Sequence, residues 1–269
     1  MLADLHLHSH HSDGRLDPAS LVDLVADAGV QILALTDHDT TAGHIAAKAR
    51  AAARGVRFVG GIEMTTYAHG RVIHVLGLGC QDADEGIGVA NSAAQTVWDA
   101  NQLRWINALA RDGAEVDAAR DFPDHPVRLP VLIERLCLLG LDDGDPKKVH
   151  ARFKAFFAAL PAEAYERLPH PSAAATVIRR AGGAAMIAHP WPLYEAGLAE
   201  ALVRDCDGLE AIYAAYEPAQ QSALAAMAQR AGKLFCGGSD YHGYFESGYR
   251  PSGFEATGEL LERLTQASL

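Results

Sequence analysis

Residues 1–14, MLADLHLHSHHSDG, decide how the rest of the chain is read. Leu2, Leu5 and Leu7 mix with His6 and His8 in a strand-like run, and the period-2 geometry of a strand places both histidines on one face. Two imidazoles side by side form half of a metal site. The run then breaks into a polar segment, residues 9–14, that brings the Asp13 carboxylate within reach and ends on Gly14, a residue suited to a tight turn. His10 and His11 thicken the cluster as an affinity tag would. A tag lies outside a fold, however, whereas here leucines alternate with histidines as in a buried strand.

Downstream of this stretch, helix and strand signals alternate. Residues 18–29 have apolar positions at helical spacing, with Pro18 early and Gly29 at the end. Residues 31–36 form a short apolar strand running into Asp37, His38 and Asp39, and residues 41–54 an alanine-rich helix closed by Gly55. A third strand, 57–61, leads into Ile62, Glu63 and Met64. Only residues 67–71 separate it from the next strand, 72–79, and a parallel crossover needs roughly a dozen residues, so these two strands pair as a hairpin. In a barrel of parallel strands the site lies at their C-terminal ends, where His6, His8, Asp37, His38 and Glu63 fall. An antiparallel fourth strand begins at that end and brings His74 to the cluster; a buried sheet histidine is the alternative.

Between residues 81 and about 170 the alternation stops, and helices are expected at 90–111, 130–139 and 146–160. Strand signals resume at 184–188, ending in His189 and Pro190, at 208–213, and at 234–238, ending in Ser239, Asp240, Tyr241 and His242. Helices at 172–181, 195–204 and 218–231 fill the gaps. The expectation is a seven-stranded α/β domain formed by residues 1–80 and 171–269, with residues 81–170 as a helical insertion.

Composition narrows the function. A chain of 269 residues with 49% hydrophobic content can bury a sizeable core. The net charge of −11 argues against a broad nucleic-acid surface. Cys80, Cys137, Cys206 and Cys236 lack CxxC spacing, which disfavours both a thiolate zinc site and a disulfide framework. No signal-like segment and no apolar run near the roughly 18 residues of a membrane span are read, so a cytoplasmic location is expected. Nothing specifies an oligomeric state.

His6, His8, Asp13, His38, Glu63, His74, His189, Asp240 and His242 all sit at or just past strand ends. A single zinc takes three or four protein ligands, so this set of imidazoles and carboxylates suits two or three divalent ions such as Mn²⁺, Zn²⁺ or Fe²⁺, with Glu63 a natural bridge. Such ions activate a water for in-line attack on phosphorus, and no side-chain nucleophile is needed.

The motifs HLHSHHSDG, LTDHDT, GIEMT, VIHVLG, IAHP and GGSDYH together resemble those of the PHP family, the polymerase and histidinol phosphatase superfamily of metal-dependent phosphoesterases. The resemblance implies a distorted (β/α)7 barrel with a trinuclear centre. In it His6, His8, Glu63 and Asp240 hold one metal, Glu63 bridges to a second completed by His74 and His189, and Asp13, His38 and His242 hold the third. Asp37 and Asp39 are candidates for orienting His38 or the water, with a helix cap by Asp39 as the alternative. Asp240 and His242 are candidates for protonating the leaving oxygen, and Arg15 and Arg128 for meeting substrate phosphate.

Within the family the chain is most similar to the nucleoside 3′,5′-bisphosphate phosphatase branch, which implies a small phosphate monoester as substrate. It departs from that branch at two places. Where an SRxHxA motif is usual it reads VRLPVLIERL, with Pro130 at the histidine position, and after His189 and Pro190 come Trp191 and Pro192 instead of a basic residue. Weaker preference for a second phosphate is therefore expected. Other readings are a histidinol-phosphate-type phosphatase, a nuclease, an amidohydrolase-type enzyme and a non-catalytic metal- or partner-binding module. The amidohydrolase reading expects a bridging lysine at a strand end, and Lys48, Lys147, Lys148, Lys154 and Lys233 all lie elsewhere. The non-catalytic module expects lost ligands.

Overall fold

The computed structural model describes residues 1–80, 85–244 and 249–266. The expected start of the insertion, at residue 81, lies outside these. Two parallel βα steps open the chain: β1 (Leu2–Asp4), α1 (Pro18–Asp27), β2 (Ile32–Leu35) and α2 (His44–Arg54). Helix α1 starts on Asp17, whose carboxylate accepts the Ala19 and Ser20 N–H groups, and α2 stops at Gly55 in the left-handed region with φ 67°.

Strands β3 (Arg57–Ala68) and β4 (Arg71–Leu78) form the expected hairpin, with Glu63 opposite Leu76 and Thr65 opposite His74. β3 runs four residues further than its apolar core suggested. His69 and Gly70, both at positive φ, make a two-residue turn beyond the barrel rim, so the polar Thr65–Thr66 pair is drawn into the ladder.

The chain then passes through α3 (Glu85–Arg111), α4 (Ala118–Asp121), α5 (Leu129–Leu138) and α6 (Pro146–Ala158). Trp105, Phe122, Leu132, Leu136, Val149 and Phe153 pack these helices around a core of their own. Next come α7 (Pro171–Arg180), β5 (Ala184–Ile187), α8 (Trp191–Glu195), α9 (Ala199–Asp205), β6 (Gly208–Tyr213), α10 (Pro218–Arg230) and β7 (Leu234–Gly238). The single helix expected at 195–204 is two, because Gly197 at φ 72° interrupts it. Two further elements carry too little sequence signal to be foreseen: β8 (Phe254–Glu255), antiparallel to β1, and α11 (Gly258–Gln266).

The sheet runs β7-β6-β5-β4-β3-β2-β1-β8, with β4 antiparallel to both neighbours. It closes at the C-terminal rim, where Leu5 N–H donates to Gly237 O at 3.1 Å and Asp240 N–H to His6 O at 2.9 Å. The architecture is the expected mixed α/β distorted barrel. The regular ladder of β1 stops at Asp4 because beyond it Leu7 N–H goes to Thr36 Oγ1 at 3.0 Å, outside the strand pairing. No helix among the described residues is long and apolar enough to cross a membrane.

Candidate metal and phosphoester site

All nine residues singled out at strand ends meet at the C-terminal rim. His6 and His8 leave the end of β1 with ring centroids 5.2 Å apart, on one side of the chain as the period-2 reading required. Gly238, at the end of β7, makes room for them, since a Cβ there would lie 2.2 Å from the His6 Cβ. His6 Nε2 lies 3.0 Å from Glu63 Oε2 and 3.2 Å from Asp240 Oδ1. His8 Nε2 lies 3.1 and 3.0 Å from the same two oxygens.

Glu63, fully buried in mid-β3, divides the cluster. Its Oε1 faces His74 Nδ1 and His189 Nε2, each at 3.1 Å, while its Oε2 faces His6, His8 and, at 3.3 Å, His38 Nδ1. His74 therefore belongs to the cluster. Asp13 collects the outer side, 3.2 Å from His242 Nε2 and 3.7 Å from His38 Nε2. Three groups have ligand atoms close enough to share an ion: His6, His8, Glu63 and Asp240; His38, Glu63 and His74; and His8, Asp13, His38 and His242. His8 and His38 belong to two groups each, a sharing that spacing alone did not indicate. His189 and Asp240 take positive φ, 29° and 54°, backbone cost concentrated where two side chains must turn inward.

Neighbours fix the rings. Glu210 in β6 places Oε1 3.0 Å from His6 Nδ1 and accepts the His189 N–H on Oε2 at 2.8 Å, so His6 presents Nε2 to the cluster. Sequence reasoning missed it, and the available signal was a lone carboxylate in the apolar run GLEAIY. Tyr213 donates its hydroxyl to Asp240 Oδ2 at 2.9 Å, and His242 Nδ1 donates to Asp240 O at 2.8 Å.

Asp37 needs correction. Its carboxylate accepts Ser9 N–H, Ser9 Oγ–H and Ser12 Oγ–H, each at 2.7 Å, so it braces the 9–13 turn that carries Asp13 and orients neither His38 nor a water. Asp39 holds Thr65 through its N–H at 2.8 Å and its hydroxyl at 2.6 Å, and burial pushes its carboxyl up to about 6. It caps no helix, since α2 starts from Gly43.

The cluster draws positive charge. Burial alone favours a neutral His6, but Glu63, Glu210 and Asp240 outweigh it and raise the imidazole well above its usual range. Against the same burial, Asp240 and Glu63 raise His8 to about 10. The imidazoles around Glu63 and Asp240 hold both carboxyls well below their usual range in spite of burial. His38, buried and next to His8 and His74, is pushed down to about 3. Protons and metal ions compete for such donors. His8 Nε2 and His38 Nδ1 are buried yet take part in no hydrogen bond, although carboxylate oxygens lie 3.0 to 3.3 Å away. Lone pairs aimed past each other toward a shared point fit a cation better than a hydrogen-bonded network.

The cluster floors a cleft of about 1740 Å³, roofed by α3, α5 and α6. Arg15 and Arg128 line it, and Arg128, the residue before α5, donates to the His10 carbonyl. Pro130 sits in the first turn of α5. Trp191 stacks on Tyr194 at 5.0 Å and supplies no charge.

Residues 4–122 match the PHP domain. A phosphoribosyl 1,2-cyclic phosphate 1,2-diphosphodiesterase of Eggerthella lenta is 32% identical over 91% of this chain and 95% of its own length. A 3′,5′-nucleoside bisphosphate phosphatase of Chromobacterium violaceum is 30% identical over 91% of this chain and 88% of its own. The solved structure of an amidohydrolase from Chromobacterium violaceum, 24% identical, superposes with a TM-score of 0.80 over 99% of this chain and 97% of that one, a likeness of fold. On these similarities, and with the motif residues gathered at one barrel rim, the chain belongs to the PHP family and is a phosphoesterase.

Proposed function

We propose that the chain hydrolyses a small phosphate monoester, a nucleotide or a related phosphorylated metabolite, with two or three divalent ions at the barrel rim. The observation that carries this reading is Glu63, whose two oxygens each face a separate set of imidazoles while His8 Nε2 and His38 Nδ1 stay unbonded beside them. His6, His8, Glu63 and Asp240 would hold one ion; Glu63, His74 and His189 a second; Asp13, His38 and His242 a third. Mn²⁺, Zn²⁺ and Fe²⁺ all suit this mixture of nitrogen and carboxylate ligands. Such ions supply a water acidified toward neutral pH and neutralise charge on the phosphoryl oxygens.

The chain's own groups do the rest. Arg15 and Arg128 meet phosphate oxygens from the cleft wall, and Asp240 or His242 delivers the proton to the leaving oxygen. Residues 81–170 act as an inserted unit that roofs the cleft, while 1–80 and 171–269 form the barrel. The names of the two relatives, one acting on a nucleoside bisphosphate and one on a cyclic phosphate, support a small phosphorylated substrate. The test is hydrolysis of a panel of phosphomonoesters and nucleotides after chelation, with and without Mn²⁺ added back. Restored phosphate release is expected. Metal-dependent amide hydrolysis without phosphate release would overturn the reading.

A further inference from the structure

The cleft is larger than the roughly 300–1,000 Å³ of ordinary small-ligand pockets, so the reacting phosphate leaves much of its 1740 Å³ unfilled. One wall of that space is α6. Val149 and Phe153 face the helical core, while His150, Lys154 and Phe157, spaced i, i+4 and i+7, line the cleft. The Asp13 carboxylate and the His242 imidazole both act on His150, which puts this stripe beside the outer edge of the cluster. Lys154 makes no ion pair among the described residues; Glu134, the α5 carboxylate that lines the same cleft, leaves it unpaired. In a chain of net charge −11, Arg15, Arg128 and Lys154 along one cleft are a directed anion site, not a general basic surface.

The α5 segment cannot supply this recognition alone. Pro130 offers no side-chain donor and no N–H, and Arg128 already donates to the His10 carbonyl. We propose that His150 and Lys154 of α6 receive a second, non-reacting phosphate of the substrate, which makes the preferred substrate a small bisphosphorylated molecule. This rests on the phosphoesterase reading above and revises the weaker second-phosphate preference expected from Pro130.

The test uses adenosine 3′,5′-bisphosphate and 3′-AMP as probes, comparing the ratio of their kcat/KM values and, separately, of their equilibrium binding. Losing one charge-assisted contact costs about tenfold or more, so Lys154→Ala and His150→Gln should each lower the bisphosphate-to-monophosphate ratio by about tenfold. Lys154→Arg should recover most of it. Lys148→Ala, on the outer face of the same helix beside Asp143, should not move it. A ratio unmoved by both Lys154→Ala and His150→Gln overturns the proposal, as does equal binding of the two probes by the parent protein. Absence of any phosphoester hydrolysis would instead defeat the phosphoesterase reading, and the binding ratio still decides the role of α6.

Discussion

The floor and the roof of the cleft are built on opposite terms. On the floor, His6, His8 and Glu63 are 0 to 1% exposed, and neighbouring groups hold His6, Asp240 and His242 in one orientation. On the roof, Arg128 and Lys154 are exposed, and their positions come from helix packing around Trp105 and Leu132. A buried cluster of nine ligands tolerates almost no change in identity, whereas a cationic wall can move a charge from one helix to the next and still meet an anion. Conserving chemistry at the floor while relocating recognition on the roof is consistent with relatives that act on different phosphate esters.

The sharpest way to break this contrast is at Glu63. Glu63→Gln removes the charge between both imidazole sets, and activity should fall by more than the roughly hundredfold that outer-sphere changes cost at metal sites. A steady-state assay showing less than a tenfold loss would mean that the floor is not organised around this carboxylate. Next in size is Glu210→Ala, which leaves the His6 ring and the His189 N–H without their acceptor. About tenfold to a hundredfold lower metal affinity is expected from a metal titration, with the fold retained by circular dichroism.

A cut in the roof should look different. Leu132→Ala, at a fully buried α5 position, should lower stability by about 2–5 kcal/mol in denaturant unfolding while metal content stays at the parent level. Loss of bound metal in the folded variant would tie roof and floor together and blur the distinction drawn here. Asp37→Ala should have the smallest effect on chemistry. It frees three donors of the 9–13 turn and should destabilise the chain by about 1–3 kcal/mol, with metal loss limited to the ion nearest Asp13. Calorimetry beside elemental analysis separates the two effects.

These differences follow what a sequence can encode. Strand ends place residues by a period of two and a fixed polarity, so His6, His8, Glu63, His189 and Asp240 could be located from runs such as LHLH and IAHP before any contact was known. Asp37 stands beside His38 in the same run, but backbone direction sends it to Ser9 and Ser12, which neighbourhood in sequence does not reveal. Glu210 reads as an interruption of an apolar strand and gains meaning only against His6 from the other end of the chain. On α6 the stripe of His150, Lys154 and Phe157 is visible as periodicity, yet which face meets the cleft depends on how α3, α5 and α6 pack. The two-residue β8 is shorter than any periodic signal.

The central claim is that the rim cluster holds two or three divalent ions through Glu63, and elemental analysis of freshly purified, unchelated protein tests it most directly. The account predicts two to three transition-metal ions per chain, with His8→Ala and Glu63→Ala each lowering that number. Fewer than one ion per chain in the parent protein, or an unchanged number in Glu63→Ala, would contradict it.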